Sequence, residues 1–336
     1  MKRPRKILVS RLFIVCLLVA VAGLVIFSLP GLLVWKQAQA DSAGLPPFPV
    51  TVNPNEKSIT EDPAVESMFS KDASPLSAAA ASLSGVFEML ASVIAASPVY
   101  QTLSLNSDRF VSIYPGYRKE EVALAFGKAL EWGAKTQVSF LTAATDSPPI
   151  PEGRFSPGTY ILGFGASQAD ARSEIRERFD RQILSRYATS TAEIVPLSHA
   201  LTIASMIERE TSNKDEMRLI SGIIWNRIFS GMKLQIDATV QYAKATGLPA
   251  QAGKNGWWPA LRSQDKFIPS LFNTYLHLGL PPSPISNPGV AAVLAALNPK
   301  KTSCLFYFHD RLGVFHCSDT YQEHVALLKK YYGQGK

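Results

Sequence analysis

Cysteine is scarce in this sequence, with three in 336 residues. Cys16 lies in an apolar N-terminal run, which leaves Cys304 and Cys317 as a single pair. There is no Cys-x-x-Cys of the zinc-binding kind and no dense disulfide framework. The five histidines (His199, His277, His309, His316, His324) are scattered without ligand spacing, so neither a metal nor another cofactor is expected. Blocks of like charge are also missing after the N-terminus. The formal net charge is +7, yet Met1 to Lys36 alone carries six Lys or Arg and no acid. The remainder is close to neutral, so the pI near 9.2 reflects a basic N-terminus and not a nucleic-acid-binding surface.

What is present begins with a long apolar run. Lys2, Arg3, Arg5, Lys6 and Arg11 make a basic tail over residues 1–11, and Leu12 to Trp35 follows as 24 residues without a charge. Such a run spans a bilayer core of about 30 Å as a helix. The positive flank predicts a single-pass anchor with the N-terminus in the cytoplasm and the rest of the chain outside it. Ala38-Gln39-Ala40 leaves open a cleaved signal peptide, although signal h-regions run only about 7–15 residues. Residues 36–106 read as a Pro- and Ser-rich tether (Asp41 to Pro75), then an Ala/Ser-rich packing helix over Leu76 to Ala96.

From Arg109 the pattern predicts an α+β architecture. Phe110 to Tyr114 alternates like a strand, Pro115-Gly116 turns, and Lys119 to Trp132 has helical spacing up to Gly133. A second unit places a strand at Gly158 to Leu162 and a charged helix from Ser167 to Tyr187.

The next stretch, Leu197 to Tyr242, carries the chemistry. Leu197, Ala200, Leu201, Ala204 and Ile207 recur at helical spacing. On that helix Glu208 falls on the flank of the apolar stripe, and Glu210 projects roughly 160° away towards Ile203 and Met206. A carboxyl edged into apolar packing resists ionisation and so suits a general acid, whereas the structural alternative is an ion pair with Arg209 or Lys214. Asn213 predicts the N-cap of a second helix, with Glu216 as a capping-box partner. That helix would bury Met217, Ile220, Ile224 and Ile228, carry Asn226 and Arg227 on its last turn, and end at Gly231. On a short strand after it, Gln235 and Asp237 would share a face and return towards Glu208.

Three later segments complete the reading. Trp257 and Trp258 could stack on sugar rings or simply anchor their loop. Gly279 to Gly289 is a stiff Pro-rich loop, with Asn287 able to cap a helix over Val290 to Leu297 and Pro288 at its first position. Cys304 to Phe308 and Val314 to Cys317 read as a hairpin. If Phe308 faces Gly313, the two cysteines face each other and could form a disulfide in an oxidising compartment. Asp319 to Tyr332 reads as a terminal helix.

Several ordered motifs together resemble the endolytic murein transglycosylases, the MltG or YceG-like family. They are ASMIERE (Ala204 to Glu210), WNRIFSGMKLQIDATVQY (Trp225 to Tyr242), NTY (Asn273 to Tyr275), GLPPSPISNPG (Gly279 to Gly289) and PEGRFSPGTY (Pro151 to Tyr160). Asn298-Pro299, Leu305 to Phe308, His316 and His324 follow in the expected order, and Ala238 stands where the pattern has proline. The resemblance implies a LysM-like module over 107–190 and a YceG-like catalytic domain over 191–336. It implies cleavage inside peptidoglycan glycan strands between N-acetylmuramic acid and N-acetylglucosamine, leaving 1,6-anhydro ends. The family's catalytic glutamate is assigned to Glu208, and Asn226, Arg227, Gln235, Asp237, Thr239, Asn273 and Tyr275 to the shell that binds substrate. Implied partners are the glycan, the cytoplasmic membrane and cell-wall synthases. Two alternatives remain open: a non-catalytic cell-wall-binding scaffold, and a hydrolase using Asp237 as a second carboxylate.

Overall fold

A computed structural model describes residues 46–70, 108–142, 148–163, 165–246 and 256–333, with the single positions 23 and 86. The predicted anchor over 12–35 and the Ala/Ser-rich helix over 76–96 therefore lie outside the described residues. Among the described residues, no helix is long and apolar enough to cross a membrane.

The predicted α+β architecture is present. Its first module pairs β3 (Asp108–Ile113) antiparallel with β4 (Gly158–Gly163), Val111 opposite Tyr160. Between them lie α2 (Lys119–Ala129) and α3 (Ala134–Leu141), and α4 (Gln168–Gln182) follows. The helix expected up to Trp132 ends at Ala129, where Glu131 turns the chain at a φ of 55°, and α3 follows beyond Gly133 as a helix not expected there. Val111, Ile113, Val122, Phe126, Phe140, Tyr160 and Ile175 close over one another as a small core. Ser167 starts α4 as a capping box with Asp170, each side chain accepting the other's backbone N–H.

The second, larger core is built around α6 (Leu197–Glu210), which follows the short α5 (Thr189–Ile194). It packs against α7 (Lys214–Phe229), α8 (Asp237–Thr246) and α9 (Val290–Leu297). Every residue of α6 from Ala200 to Ile207 is buried, so the helix has no solvent face in its middle. Asn213 caps α7 as expected, accepting from the N–H groups of Asp215 and Glu216. The Glu216 carboxylate does not reach back to close a box; it accepts from Thr211 and pairs with His309.

The tether reading fails over its described residues, 46–70. Residues 46–59 form a short hairpin, β1 (Val52–Asn53) with β2 (Ser58–Ile59), whose Phe48 and Val52 enter the larger core. The Phe48 N–H donates to the Arg186 carbonyl at 2.9 Å, and the Arg186 guanidinium lies 4.1 Å over the Phe48 ring. Asn298 donates to the Pro49 carbonyl at 2.8 Å. In α1 (Pro63–Ser70), Glu66 meets the buried Arg218 at 2.6 Å. Proline richness and polarity conceal two apolar anchors in this segment. The boundary expected at 190/191 is likewise crossed, since Phe179 and Ile183 at the end of α4 belong to the larger core.

Asn287 locks the two modules together instead of capping α9, whose N-cap is Gly289. Its Oδ1 accepts from the N–H groups of Gly153 and Phe155, and its Nδ2 donates to the Tyr117 carbonyl and to Glu152. Four hydrogen bonds satisfy every polar atom of this fully buried side chain. Trp258 adds a second tie, donating to Glu121 while the Arg209 guanidinium stacks 3.8 Å over its ring. The two tryptophans anchor their loop; Trp257 lies 5.1 Å from the Arg118 guanidinium.

At the C-terminus β5 (Phe306–His309) pairs with β6 (Phe315–Ser318), and α10 (Tyr321–Tyr332) packs on them. Phe308 faces His316, not Gly313, so the hairpin register is shifted from the expected one. Cys304 nevertheless forms a disulfide with Cys317, from just outside the strand.

Candidate functional site

A cleft of about 780 Å³ opens where α6, α7, the start of α8, the 266–275 loop and the β5 strand meet. Of the predicted site residues, Arg227, Gln235, Asp237 and Tyr275 line it. The α6 carboxyl that lines it is Glu210, not Glu208.

Glu208 leaves α6 on the other side. Its Oε2 accepts from the Gly289 N–H at 2.9 Å, at the start of α9, where a helix N-terminus stabilises a carboxylate. The Pro115-Gly116 turn of the first module covers it. At Gly116, with φ of 81°, a side chain would stand 3.1 Å from Arg209 and 3.7 Å from Glu208, so only glycine fits this contact. Burial raises the Glu208 pKa, opposed by the Gly289 hydrogen bond and by Arg209. The expectation that Glu208 occupies the site and that Glu210 faces elsewhere is therefore reversed. An apolar stripe has a flank only when a helix has an exposed face, and α6 is enclosed on all sides.

Glu210, at the last position of α6, points into the cleft. Burial raises its pKa, and a hydrogen bond from Tyr307 acts in the opposite direction. The neighbouring Asp237 charge raises it further, while His309 and Arg209 lower it. The net effect is a carboxyl that holds its proton above the usual range, the property a general acid needs.

The second carboxyl, Asp237, accepts a 2.6 Å hydrogen bond from the Tyr275 hydroxyl. Burial and this bond both push the Tyr275 phenol up, so it remains a donor. Gln235 and Asp237 do not lie on a strand. Gln235 adopts a φ of 51°, and Asp237 opens α8. The bend is held from beneath, where the Thr274 hydroxyl accepts from Ile236 N–H at 3.0 Å and meets the Thr239 hydroxyl at 2.9 Å.

Three predicted binding residues support the cleft without lining it. Thr239 is fully buried and donates to the Ile236 carbonyl at 2.6 Å. Asn273, also fully buried, donates to the carbonyls of Lys266 and Ile268 and so folds the 266–275 loop on itself. Asn226 donates to the carbonyls of Thr302 and Cys304. Arg227 lines the cleft, but its guanidinium is already engaged by the Leu305 carbonyl at 2.7 Å and by that of Leu234. Residue type and spacing marked these positions as polar and purposeful; only their direction in the fold separates support from contact.

The cleft also holds Lys266, Tyr307, Phe306, Tyr321 and His324, none of which was assigned a role there. The ammonium of Lys266 sits 4.6 Å over the Tyr275 ring. Tyr307 and His324 lay in the quoted motifs, but nothing in their spacing tied them to the α6 carboxyl.

The fold and cleft agree with the relatives of this chain. The model of the YceG-like family matches residues 55–330, and the chain belongs to that family. It is 32% identical over 184 residues to the endolytic murein transglycosylase of Bacillus subtilis, covering 54% of this chain and 48% of that protein. It is 27% identical over 159 residues to the endolytic murein transglycosylase of Streptococcus pneumoniae, covering 47% of this chain and 28% of that protein. The chain thus spans about half or less of these relatives. Among solved structures, a yceG-like protein of Listeria monocytogenes superposes with a TM-score of 0.56 at 25% identity, over 65% of this chain and 75% of that one.

Proposed function

We propose that this protein is an endolytic lytic transglycosylase of peptidoglycan in which Glu210 is the single acid–base catalyst. The observation that carries the proposal is the position of Glu210: a desolvated carboxyl in the cleft, with Tyr307 on one side and the Asp237 charge nearby. The relatives' names supply the substrate class.

In the first half of the reaction the Glu210 proton passes to the oxygen linking muramic acid C1 to glucosamine C4. The C1–O bond breaks, and the glucosamine leaves with a free 4-hydroxyl. Positive charge develops at C1 and at the ring oxygen, and the Asp237 carboxyl in the same cleft can stabilise it. In the second half, the muramoyl 6-hydroxyl closes on C1 and its proton returns to Glu210. No water is consumed and no net proton is released. Because the nucleophile belongs to the same sugar, its attack is intramolecular and gains the corresponding entropic advantage. One acid–base group then suffices where a hydrolase uses two carboxylates.

Asp237 favours a second reading, a hydrolase in which it activates water opposite Glu210. The end groups separate the two. The full chain is incubated with uncrosslinked glycan strands and the product ends are read by mass spectrometry. The transglycosylase reading predicts 1,6-anhydromuramoyl ends, hydrolysis predicts reducing ends 18 mass units (about one water) heavier, and a scaffold predicts no cleavage.

The same reading extends to the setting. The 12–35 run anchors the chain in the cytoplasmic membrane and presents the cleft outside it, where nascent glycan emerges from cell-wall synthases. The β-α-α-β module of β3, α2, α3 and β4 serves as a LysM-like unit, and the Asn287 lock holds it against the catalytic core.

A further inference from the structure

One wall of the cleft has no part in the reaction just described. It is aromatic and belongs to the C-terminal hairpin and helix. The Phe306 ring lies 5.8 Å from that of Tyr321 and 5.5 Å from that of His324, and all three line the cleft with Glu210. Tyr321 keeps 60% of its surface exposed, although apolar burial is available to its neighbours on the hairpin.

The wall is rigid and tied to the acid. Arg227 holds the Leu305 carbonyl and stands 5.5 Å over the Phe306 ring, while the next residue, Tyr307, lines the cleft with Glu210. Phe306 and Tyr307 are consecutive in β5, so their side chains leave opposite faces of the strand, yet both line the cleft with Glu210. The platform and the acid therefore share one cleft. His324 supports Phe306 from behind, with its Nδ1 buried and without a hydrogen-bond partner among the described residues. Burial and Arg227 both hold the imidazole below its usual pKa, which keeps the platform uncharged.

The rings are tilted, 58° between Phe306 and Tyr321 and 31° between Phe306 and His324, so the wall is a neutral aromatic corner whose exposed Tyr321 ring matches the C–H face of a pyranose, which offers apolar contact with hydroxyls at its rim. We propose that Phe306, Tyr321 and His324 form a saccharide subsite on which a sugar of the glycan, other than the one reacting at Glu210, stacks against Tyr321. This rests on the reading of the cleft as a glycan site. It adds that the enzyme grips its strand beyond the scissile bond, as cutting within a strand requires. Binding energy gained remotely from the reacting bond can be used at it, so longer strands should be better substrates.

The test uses the full chain with Tyr321→Ala and Tyr321→Trp. For long strands, Tyr321→Ala should lower kcat/KM about tenfold, equivalent to about 1.4 kcal/mol, while Tyr321→Trp restores it. Melting temperatures should be unchanged, since Tyr321 is exposed. In parallel, strand binding is measured in a Glu210→Gln background, with and without Tyr321→Ala, which reads the subsite without cleavage. Weaker binding in the double variant supports the subsite even if the wild type makes no anhydro ends, in which case only the catalytic reading falls. Equal binding and equal kcat/KM on long strands would overturn the subsite while leaving the catalytic reading intact.

Discussion

Glu208 and Glu210 stand two residues apart on α6 and serve different halves of the molecule. The first accepts from Gly289 N–H at 2.9 Å, beneath the turn of the neighbouring module, and the second enters the cleft beside Tyr307. Two carboxyls of one helical turn are thus divided between the contact joining the modules and the lining of the cleft. The enclosed helix makes this possible, because each side chain emerges into a different crevice.

The structural half of that division is testable by truncation. Glu208→Ala leaves the Gly289 N–H without its acceptor at a partly buried site. Removing one partner of such a bond costs about 1–3 kcal/mol. The expected outcome is a lower melting temperature and a lower midpoint in urea, with catalytic rate per folded molecule largely retained. Denaturation monitored beside activity checks it; loss of activity at unchanged stability would contradict it.

Burial raises the Glu210 pKa and the Tyr307 hydroxyl opposes that rise. It favours the ionised carboxylate, so Tyr307→Phe should raise the Glu210 pKa beyond the value reached through burial. Because the reaction starts from the protonated acid, activity falls as pH rises through that pKa. The alkaline limb of the kcat/KM profile should therefore move to higher pH in Tyr307→Phe. A limb that stays in place, or moves down, would show that Tyr307 does not act on Glu210.

Glu152 gives stability its own pH dependence. It is buried at the junction of the modules, accepts from Lys119 N–H and Asn287, and keeps Oε2 without a partner among the described residues. Burial pushes its pKa from 4.5 to about 8, with the Glu120 charge adding to the rise. The folded state therefore binds this proton more tightly than the unfolded chain does. Folding takes up a proton between those two values, so stability falls as pH rises across the window and the full cost is present above about 8. Glu152→Gln, which keeps the Oε1 acceptor, should flatten the decline and raise the melting temperature at pH near 8. Parallel slopes for the two proteins between pH 5 and 8 would contradict this.

Much of the fold was legible because it obeys local rules. The 3.6-residue spacing and the cap at Asn213 located α6 and α7, and alternation located β3. What local rules missed depends on partners far along the chain. Asn287 looked like the cap of the helix two residues on, yet its partners are Gly153, Phe155, Tyr117 and Glu152. Phe48 looked like part of a proline-rich tether, yet its ring lies under Arg186. The site was half legible for the same reason. Arg227, Gln235, Asp237 and Tyr275 line one cleft, but with Glu210 and not with Glu208, towards which they were expected to turn. The choice between Glu208 and Glu210 depended on which faces of α6 were covered, which periodicity cannot reveal once a helix is buried all round.

That choice is the central claim, and one comparison tests it most directly. Glu208→Gln and Glu210→Gln, both checked for folding, are assayed for the rate of 1,6-anhydro end formation on the same glycan strands. Loss of the general acid should lower the rate by roughly 10²–10⁴-fold in Glu210→Gln, with Glu208→Gln close to wild type. A Glu210→Gln protein that still cuts, beside a folded Glu208→Gln protein that does not, would return the acid to Glu208 and contradict the assignment.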